Sequence, residues 1–154
     1  MEEKLSVINK TKGKLPSLPF VDIKNDILGK EYSLSIAFVN KKQSQEINKK
    51  YRNKDNPTNI LSFDLNKTEG ELVLCPAVVK REAKNFEKNF TQFLGFLVIH
   101  GMLHLKGLDH SSTMDREQDL FFAKYDQKYF CGHRCRLDND KSRSRRVLKR
   151  RKES

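Results

Sequence analysis

Histidine and cysteine are scarce in this 154-residue chain, with four and three copies. An odd number of cysteines does not build a disulfide framework, so the chain reads as a reduced, cytosolic protein. Long hydrophobic runs are also missing. The longest, Phe93 to Leu105, is too short to span a bilayer and carries two histidines, so no membrane partner is expected. The first residues, Met-Glu-Glu-Lys-Leu, place acids where a secretory signal needs a basic segment. Acids are few beside bases: 20 Asp and Glu face 31 Lys and Arg, a formal net charge of +11. A protein this basic favours polyanions, and nucleic acid is the default one in a cell. The excess is uneven. Residues 131–154 hold ten Lys or Arg and three acids, about +7 in all, and residues 1–130 keep about +4. The expected organisation is one domain at 1–130, large enough for a core without disulfides. A basic tail at 131–154 follows, with too little apolar content to order itself.

The pattern of apolar residues predicts mixed α and β elements. Short strands are expected at Leu5–Ile8, Ile60–Leu65 and Glu71–Cys75, with a turn at 66–70 that makes the last two a hairpin. Tyr32–Val39 alternates, with Leu34, Ile36 and Phe38 on one face, and reads as a half-buried strand. Helices are expected at Pro19–Leu28, stopped by Gly29, and at Lys42–Tyr51, which is polar with Ile47 as its main apolar contact. Pro76–Asn89 has Pro in its first turn. Thr91–Lys106 is apolar nearly all round and so should form the buried centre of the domain. Ser111–Phe130 is the last helix, with Ser112 as a plausible N-cap.

Three of the four histidines fall within residues 100–110, His-Gly-Met-Leu-His-Leu-Lys-Gly-Leu-Asp-His. His100 and His104 lie one helical turn apart on one face. Gly107 can take a positive φ and end the helix, letting His110 turn back toward them. Three converging imidazoles suit a tetrahedral metal site with its fourth position open to water, most simply one zinc ion per chain. The ligand spacing is that of the extended zinc-protease motif H-E-x-x-H-x-x-G-x-x-H, a zincin-like metal helix. Its glutamate, the general base of those proteases, is replaced here by Gly101, so the chemistry must differ. Cys131, His133 and Cys135 form C-x-H-x-C, which matches no common structural zinc spacing.

A second segment, residues 51–65, couples a polar loop carrying Arg52 and Lys54 to an apolar strand. A guanidinium there can clamp a phosphate, although spacing alone favours a solvated arginine.

These blocks together resemble the YbeY family of bacterial metal-dependent endoribonucleases. The stretch from His100 to His110 is similar to its H-G-x-L-H-L-x-G-[aromatic]-D-H signature. Arg52, Lys54-Asp55 and Pro57 to Phe63 resemble its R-G-K-D-x-P-T-N-V-L-S-F segment. Gly70 to Cys75 resembles its G-D-I-x-I-C strand. Leu108 stands for the usual aromatic, Glu71 for Asp and Asn53 for Gly. The resemblance covers roughly residues 5–130 and leaves the tail aside.

It implies an α+β fold, a compact domain with a mixed sheet and packed helices. It implies zinc ligands at His100, His104 and His110, and a basic Arg52 at the active cleft that handles RNA. The implied activity is single-strand-specific hydrolysis of RNA in rRNA processing, at the 16S rRNA 3′ end, and in ribosome quality control. The partners are then rRNA precursor and the small ribosomal subunit. No general base is assigned. Asp109 is read first as a residue that orients a ligand or ends the helix, and only second as a base. Two other functions fit parts of the pattern: a non-catalytic zinc-containing ribosome-assembly factor, and a metallopeptidase with another carboxylate as base.

Overall fold

Alternating apolar residues build a four-stranded sheet in the order β1-β2-β4-β3. The strands are β1 (Leu5–Asn9), β2 (Ser33–Phe38), β3 (Ile60–Asn66) and β4 (Glu69–Leu74) in a computed structural model that describes residues 4–108 and 112–130. β1 runs parallel to β2, and β2 parallel to β4. Parallel neighbours need crossover connections. Helix α1 (Phe20–Ile27) joins β1 to β2, and α2 (Lys41–Arg52) begins the return from β2. β3 and β4 form the expected antiparallel hairpin. The Asn66 side chain closes it by accepting the Thr68 backbone N–H at 2.9 Å, the local bond that makes Asn a turn former. The turn is shorter than expected, because Gly70 lies inside β4. A Cβ there would collide with the Tyr32 hydroxyl and press on the Leu105 side chain.

The sheet has two unequal faces. Leu34, Ile36 and Phe38 of β2 and Leu72 and Leu74 of β4 enter the main core. The other face holds a small cluster of Val39, Leu61 and Val73, covered by Ile47 of α2 and by Phe63. Helix α2 is polar because only this small patch needs covering.

After β4 come α3 (Pro76–Glu82), α4 (Phe90–Leu105) and α5 (Ser112–Tyr125), which passes into a π-helical turn at Asp126–Phe130. The expected helix from Pro76 to Asn89 is broken. The chain tightens to a 3-10 turn at Ala83–Phe86, and Glu87 takes a positive φ of 53°. Tertiary contacts favour the break: the Phe86 ring stacks on Phe93 with centroids 4.7 Å apart. Asn89 does not end that helix but caps the next. Its side chain accepts the Gln92 N–H at 2.8 Å, and the Gln92 side chain accepts the Asn89 N–H at 3.0 Å. This reciprocal box satisfies backbone donors that a helix start leaves open.

Helix α4 is the centre of the domain, as its sequence predicts. Leu94, Val98, Ile99, Met102 and Leu103 are fully buried, each contributing about 1.5–3 kcal/mol relative to exposure. The sheet, α1, α3 and α5 all pack against it. Two glycines allow this crowding. A Cβ on Gly95 would lie 2.6 Å from the Phe130 ring, and one on Gly101 would lie 2.7 Å from Leu72. With 16 residues, α4 is too short to cross a membrane, and no helix among the described residues is long and apolar enough to do so. The fold is α+β, with a mixed sheet and packed helices.

Candidate functional site

The i, i+4 spacing on α4 brings the two histidines together. Nε2 of His100 and Nε2 of His104 lie 3.0 Å apart. The rings stand nearly perpendicular, 83° between planes, with centroids 4.5 Å apart. Two imidazole nitrogens bound at about 2.0–2.1 Å to one tetrahedral ion would be about 3.3 Å apart. The observed pair therefore fits a shared divalent ion with little adjustment. Both rings are half-buried, while the residues around them on α4 are buried. A rigid, packed helix thus holds two nitrogen donors at a partly open surface.

A third side chain touches this pair. Gln118 of α5, only 2% exposed, places its Oε1 3.0 Å from His100 Nδ1. Its Nε2 faces the Phe96 carbonyl on α4 at 3.4 Å. Spacing along the chain gives no hint of this contact, because eighteen residues separate the partners. The available signal is a polar residue on a core stripe: Gln118 lies between Met114 and Tyr125 on the buried side of α5.

Gly107 ends α4 as its sequence predicts, at a φ of 101°. Its N–H donates to the His104 carbonyl at 3.0 Å, and the Leu108 N–H donates to the Leu103 carbonyl at 3.2 Å. These two bonds define a Schellman ending, which favours an apolar residue just beyond the glycine. Leu108 is that residue and packs against the main core. An apolar side chain satisfies the position whether or not it is aromatic. Asp109 and His110 lie outside the described residues, as do Cys131, His133 and Cys135. Among the described residues, no group of three His, Cys, Asp or Glu converges as a metal cage. Helix α5 starts at Ser112 itself, and residue 111, the position that would cap it, likewise lies outside the described residues.

Arg52 occupies a different place. It is the last residue of α2 rather than part of the loop, and it is exposed. It makes no hydrogen bond or ion pair with the described residues. Its neighbour Tyr51 packs edge-on to Phe63, centroids 5.0 Å apart. Phe63 belongs to the cluster on the α2 face of the sheet, whereas α4 lies on the other face. No described contact joins Arg52 to the histidine pair.

Asn53 follows with φ 56° and ψ 34°, and its N–H donates to the Lys49 carbonyl. Glycine is favoured in this left-handed cap and asparagine comes next, so the exchange of Gly for Asn keeps the backbone. The polar segment after it is exposed, and side chains of α2 hold its backbone. Buried Ser44 bonds both the N–H and the carbonyl of Thr58, and buried Asn48 donates to the Asn56 carbonyl at 2.8 Å. Glu71 sits on β4 between Ser35 and Phe63, and nothing there explains its exchange for Asp.

The family model described as Endoribonuclease YbeY matches residues 17–127. Endoribonuclease YbeY of Staphylococcus carnosus is 38% identical over 110 residues, which cover 64% of this chain and 71% of that protein. The Staphylococcus saprophyticus protein of the same name is 38% identical over 109 residues, 63% of this chain and 70% of its own length. A solution structure of a Thermotoga maritima protein superimposes with a TM-score of 0.61 at 28% identity, covering 80% of this chain and 89% of that one. With its two-histidine helix and its match over most of the described fold, the chain belongs to the YbeY family of endoribonucleases, hydrolytic nucleases that act on RNA.

Proposed function

We propose that this protein is a metal-dependent endoribonuclease for single-stranded RNA, acting in the cytoplasm. Its substrate is precursor rRNA on the small ribosomal subunit, in maturation of the 16S rRNA 3′ end and in ribosome quality control. The observation that carries this reading is the pair of Nε2 atoms 3.0 Å apart on α4, in a chain whose relatives are endoribonucleases. His100, His104 and His110 are the residues that would hold one zinc ion. Three neutral imidazoles leave such an ion its full charge and one open position. When bound, zinc supplies a Lewis acid for the phosphodiester and an acidified water.

The protein supplies the rest. Arg52 binds and orients the RNA phosphate with its planar, permanently charged guanidinium. It stands in an exposed basic stretch with Lys49, Lys50 and Lys54, which favours a polyanionic strand over a peptide. Position 101 offers no carboxylate. The peptidase reading therefore lacks the base its motif requires.

The test incubates zinc-loaded protein with rRNA precursor and with casein, each with and without chelator. RNA alone should be cut, and chelation should stop the reaction. Cleavage of casein would turn the reading toward a peptidase. Retained zinc with no cleavage of either would favour a non-catalytic assembly factor. His100→Ala and His104→Ala should each lose zinc and RNA cleavage together. Arg52→Glu should weaken RNA binding and lower cleavage strongly, because the residue contacts RNA phosphate rather than metal, with zinc content unchanged by elemental analysis.

A further inference from the structure

The contact between Gln118 and His100 has a chemical direction that follows from its two ends. The Phe96 carbonyl can only accept, so the Gln118 group facing it at 3.4 Å must be the NH2. The opposite amide orientation would set two acceptor oxygens against each other. With the NH2 on Phe96, the amide oxygen is the atom left facing His100 Nδ1, at 3.0 Å. That oxygen also only accepts, so Nδ1 must carry the proton. A neutral imidazole protonated at Nδ1 has its lone pair on Nε2, the atom that meets His104. The amide bridges α5 to the turn of α4 that carries the ligand, and it is buried, so water does not compete for either end.

We propose that Gln118 is a positioning residue for metal binding: it holds His100 in the Nδ1–H tautomer and turns the Nε2 lone pair toward the ion. This rests on the metal reading above. Residues that hold the far nitrogen of a ligating histidine typically change metal affinity by about 10–100-fold when removed. Gln118 is neutral, where such a partner is often a carboxylate, so it sets the tautomer without adding negative charge beside the ion.

The experiment uses the full chain as wild type, Gln118→Met and Gln118→Glu. Methionine keeps the length and packing of the side chain but offers no comparable acceptor. Glutamate keeps the acceptor but places a second oxygen against the Phe96 carbonyl. Two quantities are read: zinc Kd by competition with a chromophoric chelator, and the His100 tautomer from long-range 1H–15N imidazole spectra of metal-free protein. Wild type should show the Nδ1–H form. Gln118→Met should bind zinc about 10–100-fold more weakly and show a mixture of tautomers, with its circular dichroism unchanged. Gln118→Glu should recover most of the affinity and the single tautomer.

A folded Gln118→Met protein with wild-type Kd and an unchanged His100 spectrum overturns the proposal. If Gln118→Met does not fold, the wild-type spectrum decides: an Nε2–H form of His100 refutes the assignment and an Nδ1–H form upholds it. Failure of the metal reading looks different, because wild type itself would then bind no zinc while still showing the Nδ1–H form.

Discussion

Gly101 stands where a zinc protease carries its general base, and its surroundings give the exchange a packing reason. Its missing side chain faces Leu72, Ile60 and Ser62 on the sheet, and a Cβ would come within 2.7 Å of Leu72 and 2.9 Å of Ile60. Leu72 is fully buried and has little room to withdraw. Overpacking a core typically costs about 1–3 kcal/mol, while alanine returns about 1 kcal/mol of helix propensity over glycine. Gly101→Ala should therefore be destabilised by about 1 kcal/mol in urea denaturation. Gly13→Ala, with nothing within 4 Å of its Cβ, serves as the unaffected control. Equal stability of the Gly101→Ala protein and wild type would show that the strands yield. Gly101→Glu should lose stability further and gain no casein hydrolysis. At this scale the histidine spacing was legible, because side chains one turn apart on one helix are local. Gln118 was not, because its partner belongs to another helix and only packing brings them together.

Between elements, α1 and α5 are tied by one carboxylate. Asp26 of α1 accepts from Lys124 at 2.6 Å and from the Tyr125 hydroxyl, both of α5. The Lys124 hydrogen bond, then that of Tyr125, holds the Asp26 carboxyl below its ordinary 3.8 against an opposing effect of burial. Burial, then Asp26 itself, pushes the Tyr125 phenol upward. A depressed carboxylate stabilises the fold above its unfolded value and loses that stabilisation as pH falls through the folded one. The difference in unfolding free energy between wild type and Asp26→Asn should thus be constant from pH 7 to about 5 and shrink below about 4. It should be small throughout, since the side chains of Lys124 and Asp26 are 59% and 34% exposed. A gap that widened on acidification would reverse the assignment. The helix–helix tie joins residues 26 and 124, a separation that no local pattern encodes. The helix ends were legible where glycine marks them, as at Gly107. They were missed where Asn89 and Gln92 cap reciprocally, because asparagine also reads as an ordinary turn residue.

For the whole molecule, charge and core are divided along the chain. Residues 131–154 carry about +7, and the family match ends at residue 127. Removing residues after Phe130 should leave zinc content and thermal stability unchanged but weaken RNA binding. The slope of log affinity against log salt should flatten by about 0.7–0.9 for each phosphate that the tail no longer neutralises. Unchanged affinity and slope would make the tail a solvated appendage. By itself the sequence determined the mix of α and β elements, the α4 core, the β3–β4 hairpin, the His100–His104 pair and the family, since each rests on periodicity, turn chemistry or motif spacing within a short window, and the family resemblance in turn implied the α+β class. Tertiary structure alone decided that β4 lies between β2 and β3, that the chain breaks after Glu82, and that Gly95 and Gly101 are small because Phe130 and Leu72 press on them. It also decided that Gln118 meets His100. The physical reason is the same in each case: these features come from surfaces buried against each other across long stretches of chain, and burial is a property of the assembled fold.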